Sequence, residues 1–336
     1  MASPFQFNYA IICRIPQSFA TKAVGTDQAP VNLEKAREEY ETIREVLKSC
    51  DVNLIELQED ENYPDCCFVE DCAVVIGGTA LITRPGHPSR QGEVGEIRRV
   101  LKQDMRLIVK EVGDAKATLD GGDVLFTGKE IFVGVGKRTN ALGAKAVAEA
   151  FSDHTVSLID ITNSDLAHLK DGFAMAGREI MAVAAGTDVN KMQEVASYPY
   201  KVMQLDSRRA VDMLYVNGRL IHHVRNEMGD NSYGELMKLA DPDLTRHELA
   251  VSSLSNDGRA ISRLPLLFLK LKYYKNKLDE KIPYTRHHVQ MSELPKVGGT
   301  IASLHIPINI VRTPKMLSSD ITNSDLGAYT TWQTWN

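Results

Sequence analysis

No stretch of the chain reaches the roughly 18 consecutive apolar residues from which a membrane-crossing helix is built. The opening segment, MASPFQFNYAIICRIPQ, lacks the basic region and apolar run of a secretory leader. Positive charge is in deficit: 39 Lys and Arg against 44 Asp and Glu give a net charge of −5, so there is no electrostatic footprint for nucleic acid. Cysteine is too sparse for a disulfide scaffold. Cys13, Cys50, Cys66, Cys67 and Cys72 are odd in number, confined to the first quarter, and have no C-x-x-C spacing or nearby His. That excludes structural zinc and makes a reducing, cytoplasmic compartment the expectation. Adjacent Cys66 and Cys67 are expected on opposite faces of a strand.

What the chain has is 43% hydrophobic and 25% charged residues over 336 positions, enough for one large domain or two ordinary ones. Extended apolar runs are broken by tight turns. In CAVVIGGTALITRP (72–85) they flank Gly77-Gly78, in MLYVNGRLIHH (213–223) they flank Asn217-Gly218, and DVLFTGKEIFVGVG (123–136) turns near Gly128. All three predict hairpins. Helical patterns lie between them at 32–50, with Leu33, Ala36, Tyr40, Ile43 and Leu47 on one face and Asn32 as N-cap, at 139–153, and more weakly at 188–197. Repeated hairpin and helix units predict several similar modules in an α/β fold, not a doubly wound sheet.

The densest polar cluster is YPDCCFVEDCAVV, where Asp65, Glu70 and Asp71 precede a strongly apolar strand. Buried carboxylates are costly unless they meet a cation, so the cluster is either a site for a positively charged ligand or a set of acids paired with local arginines. RPGHPSRQGEV supplies Arg84 and Arg90, and GVGKRTN supplies Arg138. Each suits carboxylate recognition or an ordinary salt bridge. TLDGGDVLF sets Asp120 and Asp123 around paired glycines that admit close backbone approach, or that simply make a turn. His168 in LAHLKDGFAMAG is a candidate general acid or base, or a packed histidine.

In this order, PDCCFVEDCAVVIGGTALITRPGHPSRQGEV, ATLDGGDVLFTGKEIFVGVGKRTN, AHLKDGFAMAG and MSELPKVGG resemble dimethylarginine dimethylaminohydrolase. The likeness runs from about residue 6 to 223 and resumes at 289–301. It implies a pentein fold, a five-bladed α/β propeller with pseudo-five-fold symmetry around a substrate channel. It also implies hydrolysis of N,N-dimethyl-L-arginine or monomethyl-L-arginine to L-citrulline and an amine, which relieves inhibition of nitric oxide synthase. No cofactor or catalytic metal is implied, and the partner is a small molecule bound by a monomer or homodimer. By the same resemblance Asp65, Glu70 and Asp71 are substrate-binding acids, Arg90 and Arg138 substrate-binding arginines, and Val297 a backbone contact. Val24 falls near a lid residue, His168 is the catalytic histidine, and Asp120 positions the guanidinium.

The resemblance implies a cysteine nucleophile in the closing strand, and here that position is Ser303; an acid just before the family's glycine is here Gly298. Cys66, Cys67 and Cys72 are alternative thiols near the acids. His305, two residues beyond Ser303, is expected on the same face of a strand and could assist it. A single propeller domain is expected over 6–310, interrupted by an atypical insert at about 226–288 and followed by a poorly ordered tail at 311–336. The insert carries a basic, apolar segment at 264–281 that is a surface element or a partner- or membrane-binding helix. DITNSDL occurs twice, at 160–166 and 320–326, with no physical account.

Overall fold

The computed structural model describes residues 4–25, 29–239 and 285–309. The chain reverses where the turn residues stand. Gly77 and Gly78 have φ of 58° and 85°, and Asn217 and Gly218 have 51° and 76°, left-handed values that glycine and asparagine adopt most readily.

The described residues form β1 (Tyr9–Cys13), β2 (Asn53–Leu57), β3 (Ala73–Ile76), β4 (Thr79–Ile82), β5 (Ile108–Glu111), β6 (Val124–Phe126), β7 (Ile131–Val135) and β8 (Val156–Asp160). They continue with β9 (Phe173–Gly177), β10 (Ile180–Ala184), β11 (Lys201–Leu205), β12 (Met213–Val216), β13 (Arg219–His223), β14 (Thr285–Val289) and β15 (Ile306–Ile308). These make five three-stranded sheets, ordered β15-β1-β2, β3-β4-β5, β6-β7-β8, β9-β10-β11 and β12-β13-β14. In each, the first two strands are antiparallel and the third runs parallel to the second. A parallel pair needs a crossover, supplied in turn by helices Leu33–Ser49, Val94–Arg99, Ala141–Ala150, Val189–Val195 and Asp230–Met237. One unit is thus repeated five times, the modular α/β arrangement that the hairpin spacing predicts. β15 joins β1, so the first module is completed by residues from the far end of the described chain.

The expected insert narrows at both ends. Helices Arg225–Met228 and Asp230–Met237 bury Met228 and Leu236 in the core, and β14 pairs in register with β13 from Arg219–Thr285 to His223–Val289. This is the fifth crossover. Its short helices give the core too few apolar residues to show a period, and β14 reads as polar because it carries Arg286, His287 and His288. Residues 240–284, including the basic segment at 264–281, and the tail with the second DITNSDL lie outside the described residues.

A second correction concerns Cys66 and Cys67, which lie in consecutive turns and not on a strand, with Cys66 N–H bonded to Tyr63 O and Phe68 N–H to Asp65 O. Pro64 lacks the N–H that a strand ladder would use.

Helix Leu33–Ser49 buries the five apolar residues its period predicts, and Asn32 Oδ1 accepts from Lys35 N–H at 3.1 Å. It also buries Glu39, whose carboxylate accepts from the backbone N–H groups of Ser292, Glu293 and Leu294. Two more carboxylates grip the same closing segment. Glu227 accepts from Met291 N–H, and Asp212 Oδ1 accepts from Ile301 N–H at 2.8 Å. Between these two acids stands the fully buried His223, its ring nitrogens 2.7 Å from Asp212 Oδ2 and 3.1 Å from Glu227 Oε2. Residues 291–301 are therefore fixed at both ends by charged side chains from three distant elements. Among the described residues no helix is long and apolar enough to cross a membrane.

Candidate active site

Three short turns bring the acids together. Val69–Cys72 is a fully buried 3-10 turn that presents Glu70 and Asp71 immediately before β3. Gly121–Asp123 is another, at the start of β6. A Cβ on Gly121 would collide with the Glu70 carbonyl, and one on Gly122 would lie 3.0 Å from Asp71 Oδ1 and from the His168 ring. The paired glycines are what allow these segments to touch. The third turn, Leu169–Asp171, follows His168. Its entry is pinned by His168 N–H donating to Asp171 Oδ2 at 2.9 Å and by Leu169 N–H donating to Asp123 Oδ1 at 2.9 Å.

The imidazole that results faces two carboxylates. His168 Nε2 is 3.0 Å from Asp120 Oδ2 and 3.7 Å from Asp71 Oδ1. Asp120 is held by Gly86 N–H on Oδ1 at 2.6 Å, and Asp71 by Gly122 N–H on Oδ1 at 2.9 Å and Arg90 Nη1 on Oδ2 at 2.6 Å. Burial works against the imidazolium, but the Asp71 charge and the Asp120 hydrogen bond outweigh it and hold His168 up to about 10. The reciprocal holds for Asp71: burial opposes its ionisation, yet His168 and then Arg90 bring it down to about 2. Near neutrality His168 is therefore held as an imidazolium, which makes it a proton donor in the resting site.

A pH dependence follows. His168 has a folded-state pKa above its ordinary value of 6.5, so its contribution to stability is fully present below about pH 6.5 and is lost as pH rises through about 10. The melting temperature is expected to fall between pH 7 and 10, and this decline should flatten in His168→Asn. An unchanged slope in that variant would contradict the assignment.

Arg90 sits behind the acids. Its guanidinium is 8% exposed and commits four N–H bonds: Nε to Glu93, Nη1 to Asp71, and Nη2 to Phe68 O at 2.9 Å and Glu93 Oε2 at 2.8 Å. Burial pushes Glu93 up to about 7 against the pull of Arg90. Arg90 is thus an internal counter-ion of Asp71 and Glu93. Glu70 is similarly engaged, pairing with Lys170 Nζ at 2.8 Å, while burial still raises its carboxyl above the ordinary range.

Asp65 is different. Its carboxylate accepts from Val24 N–H at 3.0 and 3.2 Å, and burial pushes its pKa up, opposed by the charges of Arg90, His87 and Arg138. Val24 therefore lies on Asp65, and the adjacent Gly25, at φ 100°, stands 3.5 Å in Cβ terms from the Val297 backbone. Arg138 packs its backbone against Gly86, the residue that holds Asp120, and its guanidinium enters no hydrogen bond or ion pair among the described residues.

Ser303 is on a 3-10 turn, Ala302–Leu304, that packs against Val69–Cys72. Its hydroxyl donates to Thr300 O at 2.8 Å and accepts from Thr300 N–H at 2.9 Å. This corrects the strand expectation: β15 begins only at Ile306, so Ser303 and His305 do not alternate along a strand. His305 is buried with Nδ1 3.2 Å from Ile301 O, and burial, aided by the Lys170 charge, holds it down at about 4. Nor do the alternative thiols serve. Burial raises Cys67 and Cys72 well above the ordinary range, and Cys66 is turned toward Cys13.

The structure brings Asp71, Asp120 and His168 together, with Glu70 beside Asp71 in the same turn and Asp65 set against Val24, whereas Lys170, Glu93 and Asp171 are not among the residues the sequence singles out. Lys170 and Asp171 stand within three residues of His168, and Glu93 three beyond Arg90, so local charge spacing was the available signal.

A family profile described as "N,N dimethylarginine dimethylhydrolase, eukaryotic" matches residues 13–241. The chain is 36% identical over 273 residues to a Bos taurus protein named putative hydrolase DDAH2, spanning 77% of this chain and 94% of that one. It is 30% identical over 212 residues to the dimethylarginine dimethylaminohydrolase of Pseudomonas aeruginosa, spanning 63% and 82% respectively. Among solved structures, a cysteine-to-serine variant of the P. aeruginosa protein complexed with citrulline superposes with a TM-score of 0.65 at 22% identity, covering 90% of this chain and all of that one. The N-terminal domain of ArgZ, a cyanobacterial arginine dihydrolase, superposes with a TM-score of 0.67 at 15% identity, covering 90% and 97%. The fold is the five-module pentein arrangement that these neighbours share.

Proposed function

Because the chain belongs to the eukaryotic N,N dimethylarginine dimethylhydrolase family, we propose that it binds N-methylated arginines and hydrolyses them to L-citrulline and dimethylamine or methylamine. Its attacking group is Ser303. The observation that carries this reading is the half-buried His168 imidazolium, held against the buried Asp120 and Asp71 side chains.

Each residue then has a task. Asp71 and Asp120 receive the guanidinium nitrogens, since anions fixed in a dry site are matched to a planar cation. Asp65, with Val24 upon it and Val297 against the adjoining Gly25, takes the α-ammonium, and Arg138 takes the α-carboxylate. Glu70 and Arg90 act through their partners, Lys170 and Asp71, keeping the acid cluster from repelling itself. Attack by Ser303 Oγ on the guanidinium carbon forms a C–O bond, and the hydroxyl proton passes to the methylated nitrogen as the bond forms. The C–N bond to the methylated nitrogen breaks as His168 delivers its proton, and the amine leaves. His168, now neutral, takes a proton from water as the water displaces Ser303 Oγ, giving citrulline and restoring both groups.

The weak step is the first. A serine hydroxyl must lose its proton during attack, whereas a thiol is already a few per cent thiolate at pH 7. His168 carries a proton near neutrality and Ser303 is bonded to Thr300, so turnover is slow. These same contacts favour a second reading, a methylarginine-binding module with no useful turnover. The P. aeruginosa protein with serine in place of a cysteine was solved with citrulline, which supports ligand retention by a serine-bearing pocket. The test is citrulline release from dimethylarginine by the purified protein. Release that falls to background in His168→Ala supports hydrolysis. Equal, background-level release from both proteins rejects it in favour of the binding module.

A further inference from the structure

All five cysteines are free and buried, but two are not isolated. Cys13, the last residue of β1, points its Sγ at Cys66 Sγ, 3.8 Å away and 53 residues distant in sequence. A disulfide needs about 2.05 Å, so the sulfurs are about 1.8 Å from bonding distance. Neither side chain is used by the reaction described above. We propose that Cys13 and Cys66 form an oxidisable dithiol, at which a hydroperoxide closes a disulfide that shifts the turn carrying Asp65 and loosens its grip on Val24.

The pair is asymmetric. Cys13 donates to Cys66, and it also lies 3.4 Å from Gln58 O. The Cys13 hydrogen bond stabilises the Cys66 thiolate and lowers its pKa below the ordinary thiol value, whereas burial raises Cys50, Cys67 and Cys72. Cys66 is therefore the thiol that reacts first and Cys13 the one that resolves. In the first step the Cys66 thiolate attacks one oxygen of the hydroperoxide, giving a sulfenic acid and, after protonation, water or an alcohol. In the second, Cys13 sulfur attacks Cys66 sulfur, forming the S–S bond and releasing the hydroxyl as water. Two thiols are oxidised and one peroxide is reduced.

The mechanical consequence rests on sequence adjacency. Asp65 directly precedes Cys66 in a turn closed by Cys66 N–H to Tyr63 O and Phe68 N–H to Asp65 O. Cys13 is held in β1, paired with Leu57 of β2, so the turn is the side that yields. Moving it displaces the carboxylate that accepts from Val24 N–H. The effect on ligand rests on the reading of Asp65 in the proposed function, whereas the cross-link itself does not.

The test treats the native protein with hydrogen peroxide, blocks remaining thiols, and maps peptides. The expected product is a Cys13–Cys66 cross-link formed before Cys50, Cys67 or Cys72 is modified and reversed by dithiothreitol. In Cys13→Ser the cross-link is absent and oxidation stops on Cys66 as sulfenic or sulfinic acid. Amide exchange at Val24 should rise at least tenfold in the oxidised protein. Over-oxidation of Cys66 in the native chain without a cross-link, pairing of other cysteines, or no reaction while the protein remains folded would each overturn the proposal. A cross-link with unchanged Val24 exchange would overturn its mechanical part. If oxidation also weakens citrulline binding, the Asp65 reading gains support; a cross-link and faster Val24 exchange without that loss would count against the Asp65 reading alone.

Discussion

Ser303→Cys is expected to raise citrulline formation from dimethylarginine by about two orders of magnitude or more, because a thiolate needs no base at the moment of attack. The surroundings favour such a group. Ser303 rides on a turn packed against Val69–Cys72, the turn that carries Asp71, the neighbour of the His168 imidazolium, and Glu70, the partner of the Lys170 ammonium. Steady-state kinetics of the two proteins at matched pH measure the effect. The gain should appear in kcat with little change in KM, since the substitution alters the attacking atom and leaves the ligand's contacts in place. A Ser303→Cys protein that binds dimethylarginine but turns over no faster would shift attention to Gly298. That residue sits at φ 81° with no side chain, where the family resemblance implies an acid.

Arg90→Ala is expected to cost about 3–5 kcal/mol of folding stability, the penalty for leaving buried charge uncompensated. Two carboxylates depend on that guanidinium. Asp71 is 2.6 Å from Nη1 and Glu93 is 2.8 Å from Nη2, with side-chain exposures of 6% and 2%. Without the cation, Asp71 keeps only His168 and the Gly122 N–H, and Glu93 is driven further toward its neutral form. Arg90→Lys should recover only part of the loss, because an ammonium cannot reach Asp71, Glu93 and Phe68 O at once as the planar fork does. Chemical denaturation of the three proteins checks this. A loss below 1 kcal/mol for Arg90→Ala would mean that solvent reaches these acids.

How much of this was legible in the sequence can be judged from particular residues. The turns were: Gly77-Gly78 and Asn217-Gly218 require left-handed backbone, and few other residue types tolerate it. Helix Leu33–Ser49 was legible in its apolar face and its cap. The acids at 65, 70 and 71 stand out because buried charge before an apolar strand is conspicuous, whereas Asp120 and His168 join them only through the family motifs. What stayed hidden depends on long-range pairing. Glu39 looks like one more charge on a solvated helix, yet it binds backbone N–H groups more than 250 residues away. Arg90 looked like a ligand anchor because sequence shows its charge and not the two carboxylates that consume it. The ends of the expected insert, 226–239 and 285–288, belong to the fifth module, which the sequence hides because Met228 and Leu236 are too few to establish a period. Ser303 and His305 are expected on one face because they stand two apart in what reads as a closing strand, whereas a 3-10 turn occupies Ala302–Leu304.

The central claim is that the buried acid cluster is a pocket for a methylated guanidinium amino acid, whatever the speed of the chemistry. Isothermal titration of N,N-dimethyl-L-arginine into the purified protein tests it most directly. The account predicts saturable one-site binding that is lost in Asp71→Asn while the variant remains folded by circular dichroism. No heat of binding up to millimolar ligand from a folded native protein would contradict it, as would binding that Asp71→Asn leaves intact.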